Sequence, residues 1–340
     1  MRLLKFDQTM KKGMLAGAAL GVLSAVMIGV GSSMGAEAEN VSGQETGSEK
    51  LAASQTVGSR EINQELSFGW RQDIDGYTRY YGQDGIVLTN TVTPDGQYVD
   101  DTGVWIPDQY DVSQFTSIPS DAKSLMVIEG HKTAARATFY VKEEIPEEEN
   151  VQPADPNVLL LGPGAEPQTP SEPRQTYRWK KITDTGGYVG KNGIGKVQEG
   201  DEKTPRGLYT LDEAFGTLPG LEDFKVPYLQ VDEGYYWVGD SSSPYYNTMV
   251  DIRRTGEVFS KGQSEHLSTY GGKAYNYCIA VGYNKEQTPH KGSAIFLHCI
   301  GGPGTGGCIA IPEEAMVTVL KNMEQPGYIL IDDGENLKNY

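Results

Sequence analysis

The feature that most constrains the fold is the segment at residues 292–314, GSAIFLHCIGGPGTGGCIAIPEE. Residues 293–299 form a short apolar run typical of a buried strand, and a glycine-rich loop follows it. A second apolar run, residues 309–311, begins directly after Cys308. The pattern predicts a strand that ends near His298 and is followed by a glycine loop, after which residues 309–311 lead into a helix. A histidine and a cysteine held by one loop supply a base and a latent nucleophile.

The residues around Cys308 suit cysteine chemistry. Only a thiolate attacks, and a free thiol with a pKa of about 8.5 is mostly protonated at neutral pH, so His298 would take the proton. Gly306 and Gly307 place no side chain over the loop, so the N–H groups of Gly307 and Cys308 are expected to form an oxyanion hole. A helix is predicted to start at Pro312, with a buried stripe formed by Met316, Val319, Leu320 and Met323.

Composition limits the class of protein. The chain has 340 residues and a net charge of −17, which argues against nucleic acid as a partner. Its 42 glycines, and its 20 tyrosines against 8 phenylalanines, predict a turn-rich and mainly β protein.

Three cysteines are too few for the disulfide framework of a secreted chain. Cys278 and Cys299 can form a pair or can be two small buried residues, and we expect the second arrangement. A zinc site made from Cys299, Cys308 and a histidine fits no usual ligand spacing. We therefore predict no metal and no cofactor.

Residues 1–38 have the pattern of a secretory signal peptide. Lys5, Lys11 and Lys12 precede an apolar stretch at residues 14–30, and small residues follow it. The alternative is a retained membrane anchor, for which the stretch barely reaches spanning length. The next segment, residues 39–66, is rich in Ser, Glu, Gly and Gln and poor in large apolar side chains, so we interpret it as a flexible linker.

An aromatic and glycine-rich repeat occupies residues 67–106. The segment YYGQDGI at residues 80–86 aligns with YVDDTGV at residues 98–104. The dipeptides Asp84-Gly85 and Asp95-Gly96 predict hairpins with type I′ turns. Because each unit is too small to bury its own face, it must pack on a neighbour.

The pieces GW, YY…DG and DGQYVDDTG resemble the cell-wall-binding repeats, of choline-binding type, found in exported Gram-positive proteins. The resemblance implies that exposed aromatic rings stack on a wall ligand. The alternative is that these rings form the small core of the hairpins. The candidate rings are Trp70, Tyr77, Tyr80, Tyr81, Tyr98 and Trp105.

We interpret residues 107–123 as a connector and residues 124–338 as a larger domain. An acidic, proline-rich insertion at residues 143–174 interrupts that domain, and its composition predicts an extended surface excursion between strands. The glycine-rich segment GKNGIGK at residues 190–196 lacks the spacing of a phosphate-binding P-loop, so we predict no nucleotide site.

Motifs spread over this larger domain resemble the YkuD-type L,D-transpeptidases, and most closely the variant found in clostridia and their relatives. GKNGIGK, GDEKTPRGLYTL, AFG, SEH, GSAIFLH and TGGCIAI follow in that family's order. The resemblance implies a mainly β catalytic domain with a few short helices, preceded here by a small β-hairpin repeat module. In the family, the cysteine of a Ser/Thr-x-Gly-Cys motif accepts an acyl group from a peptidoglycan stem peptide.

Matched residue by residue, the resemblance assigns Cys308 as the nucleophile and His298 as the general acid and base. Thr305, Gly306 and Trp237 are expected to position the substrate. The common form of the motif has histidine where this chain has Gly306.

From the resemblance we expect an exported peptidoglycan L,D-transpeptidase that forms 3→3 cross-links through a cysteine acyl-enzyme and contributes to cell wall biogenesis and cell shape. Its partners would be stem peptides and, through the aromatic repeat, a cell-wall polymer. A membrane partner is expected only if the signal is retained. The location would be secreted and wall-associated, of the Gram-positive type. Two alternatives are an L,D-carboxypeptidase that trims tetrapeptide stems and a non-catalytic wall-binding protein.

Overall fold

The computed structural model describes residues 68–146, 176–259 and 262–340. The described residues all belong to one compact unit, Ile62–Tyr340. The predicted signal peptide and linker therefore lie outside the described residues, as does most of the acidic insertion.

The described residues contain seventeen β-strands. Five short strands form the aromatic repeat, eight form a closed barrel, one extends the barrel and three form a small sheet. In chain order they are β1 Gly69–Gln72, β2 Thr78–Tyr81, β3 Thr91–Val92, β4 Tyr98–Val99, β5 Trp105–Ile106, β6 Ser124–His131, β7 Ala134–Glu144, β8 Tyr177–Tyr188, β9 Gly207–Gly216, β10 Tyr228–Gln230, β11 Tyr235–Val238, β12 Met249–Asp251, β13 Ser264–His266, β14 Cys278–Val281, β15 Phe296–Cys299, β16 Ile309–Ile311 and β17 Gly327–Asp333.

Helices are few and short among the described residues. They are α1 (Ile252–Thr255), α2 (Glu313–Asn322) and α3 (Gly334–Leu337), with 3-10 turns at Val112–Gln114 and Gly272–Tyr275. None of them is long and apolar enough to cross a membrane. The prediction of a mainly β fold with a few short helices is confirmed.

The barrel runs in the order β9-β14-β15-β16-β8-β7-β6-β17, and β17 pairs back with β9 to close it. Closure removes the unpaired edges that an open sheet of this size would expose. Strand β10 pairs parallel with the end of β9. The small sheet has the order β12-β11-β13.

Burial on both faces explains the continuous apolar run of β6. Met126 and Ile128 belong to the core cluster inside the barrel. Leu125 and Val127 belong to a second cluster, which side chains of the connector such as Tyr110 cover. Because adjacent strand residues face opposite sides, a strand covered on both sides is apolar throughout. The connector thus contributes to the core.

Helix α2 confirms the predicted buried stripe. Its apolar residues lie in the same cluster as the barrel interior: Ala315, Met316, Val319, Leu320 and Met323. Pro312 is the N-cap residue, so the helix begins at Glu313, one position after the predicted start. Glu313 and Glu314 lie in the first turn, where the helix dipole favours negative charge.

The hairpin turns of the aromatic repeat correct the predicted turn type. Asp84 and Asp95 do not have the positive φ that a type I′ turn requires, whereas Gly85 and Gly96 have φ of 76° and 83°. Gly85 N–H donates to the Gly82 carbonyl, and Gly82 N–H donates to the Ile86 carbonyl. This pattern is a type I turn followed by a left-handed glycine in a bulge. An Asp-Gly dipeptide suits both turn types, so the dipeptide alone does not separate them.

Asn90 joins the repeat to the barrel. Its Nδ2 donates to the Gly187 carbonyl on β8 at 2.8 Å, and its Oδ1 accepts from the Tyr98 hydroxyl at 2.7 Å. A Cβ at Gly186 would lie 1.8 Å from the Asn90 carbonyl oxygen, so this approach requires glycine.

Candidate active site

Cys308 lies where the glycine loop meets β16. Strands β15 and β16 are parallel neighbours, so the loop between them must return to the start of β15. The Phe296 N–H at that start donates to Cys308 Sγ at 3.4 Å. Cys308 Sγ in turn donates to the Ala294 carbonyl at 3.2 Å. The sulfur is therefore held between a backbone donor and a backbone acceptor, and Cys308 is 9% exposed.

Ala294 presents its carbonyl through a strained backbone conformation. Its φ is 53°, which non-glycine residues seldom adopt and which often marks functional sites. The Ala294 N–H donates to Asn247 Oδ1 at 3.1 Å. Trp237 Nε1 donates to the same oxygen at 3.0 Å. For this reason β15 begins at Phe296, later than the strand predicted from residue 293.

The structure corrects the role predicted for Trp237. The residue is 7% exposed and lies in a core cluster with Phe296 and Cys308. Its ring centroid lies 4.8 Å from that of Phe296. It is absent from the walls of the cavity that Cys308 lines. Trp237 therefore supports the site from behind, through Asn247 and Phe296. The prediction differed because this long-range packing was not visible in the local sequence.

His298 is held as a neutral base. Its Nδ1 lies 2.7 Å from the Cys299 carbonyl oxygen. Since a carbonyl only accepts, Nδ1 carries the proton and Nε2 keeps its lone pair. Burial lowers the pKa of His298, an effect that this hydrogen bond partly opposes. His298 is 7% exposed, and the Tyr275 ring contacts it edge-on with centroids 5.7 Å apart.

Thr305 organises the loop before the nucleophile. Its hydroxyl donates to the Cys308 carbonyl at 2.6 Å and accepts from the Gly307 N–H at 3.1 Å. The Gly307 N–H is thus already bonded, and the predicted oxyanion role would require this bond to open. Gly306 has open space around its Cα, so a side chain would fit there. Gly307 has φ of 147° and little room for a Cβ.

The resting sulfur is a thiol rather than a thiolate. Burial raises the pKa of Cys308 to about 12, and the negative charge of Glu265 adds to this effect. The Phe296 N–H and the positive charge of Lys196 act in the opposite direction. Because the pKa of His298 is lowered, the two residues do not form an ion pair in this state.

Lys196 is a cation that the sequence analysis missed. Its Nζ lies 2.8 Å from Asp201 Oδ1, and its side chain is almost fully buried. Asp201 also accepts from the backbone N–H groups of Val197, Gln198 and Lys203. Burial alone would raise the pKa of Asp201, but Lys196 and these donors lower it to about 2. The pair is therefore ionised, and it holds the GKNGIGK loop beside the site.

Glu265 on β13 is the second residue that the sequence analysis missed. The Tyr275 hydroxyl donates to Glu265 Oε2 at 2.5 Å. Burial raises the pKa of Glu265 to about 7, with a further contribution from the charge of Glu199, while the hydrogen bond opposes the rise. A carboxyl that ionises near neutral pH beside a buried thiol marks a candidate functional group.

A cavity of about 590 Å³ brings the predicted site residues together. Its lining includes Cys308, His298, Thr305, Gly306 and Gly307. The polar part of the wall also includes Lys196, Glu199, Glu265, Tyr270 and Tyr275. Its volume is within the usual range for small-molecule sites.

The wall-binding candidates divide into exposed and buried rings. Tyr80 and Tyr98 are 6% and 0% exposed. Tyr80 packs edge-on against Phe68 and Trp70 within the repeat, whereas the Tyr98 ring stacks on His131 of β6. Tyr81 is half-buried, with the Arg71 guanidinium 3.5 Å from its ring centroid. Trp70 and Trp105 form an edge-to-face pair with centroids 6.3 Å apart, and Trp105 is 39% exposed.

The other two cysteines are structural. Cys278 and Cys299 are both buried and free, as expected. Burial raises the pKa of both thiols. The described residues contain no group of three or more His, Cys, Asp or Glu side chains placed to hold a metal ion.

Comparison with known proteins does not assign a family. No family model and no curated protein matches the chain. Among solved structures it is similar to the helical cell shape determining protein Pgp2 from Campylobacter jejuni, at 14% identity and a TM-score of 0.31, over 63% of this chain and 49% of that chain. A lysine-to-alanine mutant of Pgp2 matches at 13% identity and the same TM-score, over 64% and 49%. The chain spans about half the length of these structures, and a similarity this weak identifies neither fold nor function.

Proposed function

We propose that the chain is an exported peptidoglycan L,D-transpeptidase with a YkuD-type catalytic domain. One observation carries the proposal: Cys308 and His298 line the same cavity, with the sulfur held by backbone groups and the imidazole held as a base. The order of motifs around these residues supplies the substrate class. No metal or organic cofactor is needed for this chemistry.

The first half-reaction is acylation. As Cys308 Sγ approaches the carbonyl of the third stem residue, its proton passes to His298 Nε2 and the Sγ–C bond forms. The tetrahedral intermediate collapses by breaking the C–N bond to the terminal D-alanine, whose amine receives the proton from His298. In the second half-reaction, the side-chain amine of a neighbouring stem attacks the thioester. His298 Nε2 takes a proton from that amine as the C–N bond forms and returns it to Cys308 Sγ as the Sγ–C bond breaks, which completes the 3→3 cross-link.

Deprotonation has to accompany substrate binding in this scheme. The resting site holds a thiol and a neutral imidazole, because burial raises the pKa of Cys308 and lowers that of His298. The Phe296 N–H and the charge of Lys196 favour the thiolate once it forms. A nucleophile that ionises only beside its substrate is protected from oxidation and from unrelated electrophiles.

The aromatic repeat would hold the enzyme near its substrate. Trp70 and Trp105 present adjacent rings at the surface, together with Phe68 and Tyr77, each 56% exposed. Such rings stack on sugars or on quaternary ammonium groups of wall polymers. The proposed location is the cell wall outside the membrane.

Intact-mass measurement after carbapenem treatment tests the nucleophile. We expect one adduct on the wild type and none on Cys308→Ala, while Cys299→Ala serves as a matched control that keeps the adduct. No adduct on the wild type, or an equal adduct on Cys308→Ala, would refute the proposal.

The products identify the acyl acceptor. Purified protein with a tetrapeptide muropeptide should release D-alanine and form 3→3 dimers, measured by liquid chromatography and mass spectrometry. Tripeptides without dimers would instead identify an L,D-carboxypeptidase, in which water accepts the acyl group. Deletion of residues 67–106 should weaken binding to cell walls and leave turnover of soluble muropeptides intact.

A further inference from the structure

The charged side chains of the cavity wall determine which ligand charge is complementary to the cavity. Three charged side chains line the cavity: Lys196, Glu199 and Glu265. The charge of Lys196 is compensated by Asp201, which lies 2.8 Å away. Among the described residues, neither glutamate makes an ion pair with a cation. The wall therefore has an uncompensated negative charge, and a cationic group is complementary to it.

The two glutamates differ in depth. Glu199 is exposed, and its Oε2 accepts from the hydroxyls of Tyr246 and Ser293, both at 2.9 Å. Glu265 is half-buried, and its only hydrogen bond among the described residues comes from the Tyr275 hydroxyl to Oε2. Its Oε1 has no hydrogen-bond donor among the described residues.

The position of Glu265 is fixed from two sides. On β13 it lies directly opposite Trp237 of β11 in the antiparallel register, and Trp237 packs in the cluster that contains Cys308. Tyr275, which holds its carboxylate, also contacts the His298 ring. The charge of Glu265 reaches the thiol, since it contributes to the raised pKa of Cys308. The carboxyl is therefore part of the same site as the nucleophile.

We propose that Glu265 is a specificity-determining residue that binds an ammonium group of the acyl donor through its free carboxylate oxygen. The proposal rests on the proposed function in one respect: the ammonium group belongs to the diamino acid whose carbonyl Cys308 attacks. A bound ammonium group offsets the charge that opposes ionisation of the thiol. An amine-bearing donor thus promotes its own attack, whereas a donor with a blocked amine leaves the charge of Glu265 in place and reacts more slowly.

Charged thiol reagents test the ammonium site without a peptidoglycan substrate. The reagents are methanethiosulfonates that carry an ammonium, a methyl or a sulfonate group. For each reagent, the rate of Cys308 modification is measured by intact mass. Each rate is then divided by the rate of the same reagent with free cysteine. We expect the wild type to favour the ammonium reagent over the sulfonate reagent, and Glu265→Gln to lower that preference about tenfold. Cys308→Ala shows that the modification is at this thiol.

Two matched variants distinguish an effect of Glu265 from an effect of the protein's net charge. Glu222→Gln removes an exposed carboxylate outside the cavity and should leave the preference unchanged. Glu199→Gln removes a charge at the rim and should lower the preference less than Glu265→Gln does. If Glu265→Gln keeps the wild-type preference while it stays folded by circular dichroism, the inference is wrong.

Stem peptides then connect the site to the substrate. The rate of Cys308 acylation is measured for a tetrapeptide with a free side-chain amine and for the same peptide with that amine acetylated. We expect the free amine to react about tenfold faster with the wild type, and the ratio to approach one with Glu265→Gln. Equal acylation by both peptides overturns the inference and leaves the proposed function standing. If the reagent preference depends on Glu265 but neither peptide acylates Cys308, the ammonium site stands and the proposed substrate is wrong.

Discussion

Replacement of Glu265 by glutamine should stabilise the protein at high pH. The carboxyl is partly buried, its pKa is raised from 4.5 to about 7, and the Tyr275 hydroxyl is its hydrogen-bond donor. Glutamine has nearly the same shape, keeps an oxygen that accepts from Tyr275 and is never ionised. The variant therefore removes a buried charge without creating a cavity.

Proton binding at Glu265 determines how the free energy of unfolding changes with pH. Between about pH 4.5 and about pH 7 the folded state binds more protons at Glu265 than the unfolded state does, so stability falls as pH rises. Below this window the carboxyl is protonated in both states, and above it the full penalty is present. A rise in pKa from 4.5 to about 7 corresponds to about 3 kcal/mol. Because the side chain is partly accessible to water, we expect about 2 kcal/mol.

Urea unfolding measured by tryptophan fluorescence provides the assay. Trp237, opposite Glu265 in the β11–β13 pair, is a local reporter. The free energy of unfolding of Glu265→Gln minus that of the wild type should be near zero at about pH 4.5 and about 2 kcal/mol at about pH 8. Glu222→Gln, which removes an exposed carboxyl, should show no such pH-dependent difference. Tyr275→Phe removes the hydrogen bond that opposes the rise and should move the transition to higher pH.

The reverse sign would contradict the reasoning. If Glu265→Gln is less stable than the wild type at about pH 8, the ionised carboxylate has a stabilising partner, and the cavity wall does not have the uncompensated charge described above. A difference that does not change with pH would show that Glu265 has an ordinary pKa.

Three further changes test individual contacts. Thr305→Val removes the hydroxyl that donates to the Cys308 carbonyl. We expect its free energy of unfolding in urea to fall by about 1 to 3 kcal/mol and its acylation by a carbapenem to be slower. Thr305→Ser should keep both quantities near the wild-type values. Gly186→Ala would place a Cβ 1.8 Å from the Asn90 carbonyl oxygen; limited proteolysis should then cut the aromatic repeat faster, with the alkylation rate of Cys308 unchanged. Trp237→Phe keeps an aromatic ring but loses the N–H donor to Asn247. We expect it to lower the free energy of unfolding by about 1 kcal/mol and to slow acylation of Cys308. An unchanged acylation rate would show that this hydrogen bond does not position the site.

The sequence was sufficient to predict elements whose structure depends on residues nearby in the chain. The apolar run before the glycine loop predicted β15, and the stripe that begins at Met316 predicted the buried face of α2. One local error, the early predicted start of β15, comes from Ala294. Its left-handed φ is stabilised by Asn247, which lies 47 residues away in the chain, so no nearby residue indicates it.

The electrostatic part of the site depends on distant contacts and was not predictable. Lys196 and Glu265 reach the cavity from a loop before β9 and from β13, which are far from Cys308 in the chain, and only the fold brings them to the same cavity. Their local sequences contain no periodicity that distinguishes them from surface residues. Trp237 was misassigned for the same reason, because an aromatic residue in a sheet can face a ligand or the core.

The position of β17 in the barrel has a consequence for how the chain folds. This strand pairs with β6 on one side and with β9 on the other, so Gly327 meets both Ser124 and Leu211. The barrel cannot close before residues 327–333 have been synthesised, and until then β6 and β9 keep unpaired edges. Strand pairings this far apart in sequence form slowly, since a long loop must be ordered first. The chain therefore passes through an open-barrel state, in which the exposed edges of β6 and β9 can pair with other strands until β17 is in place.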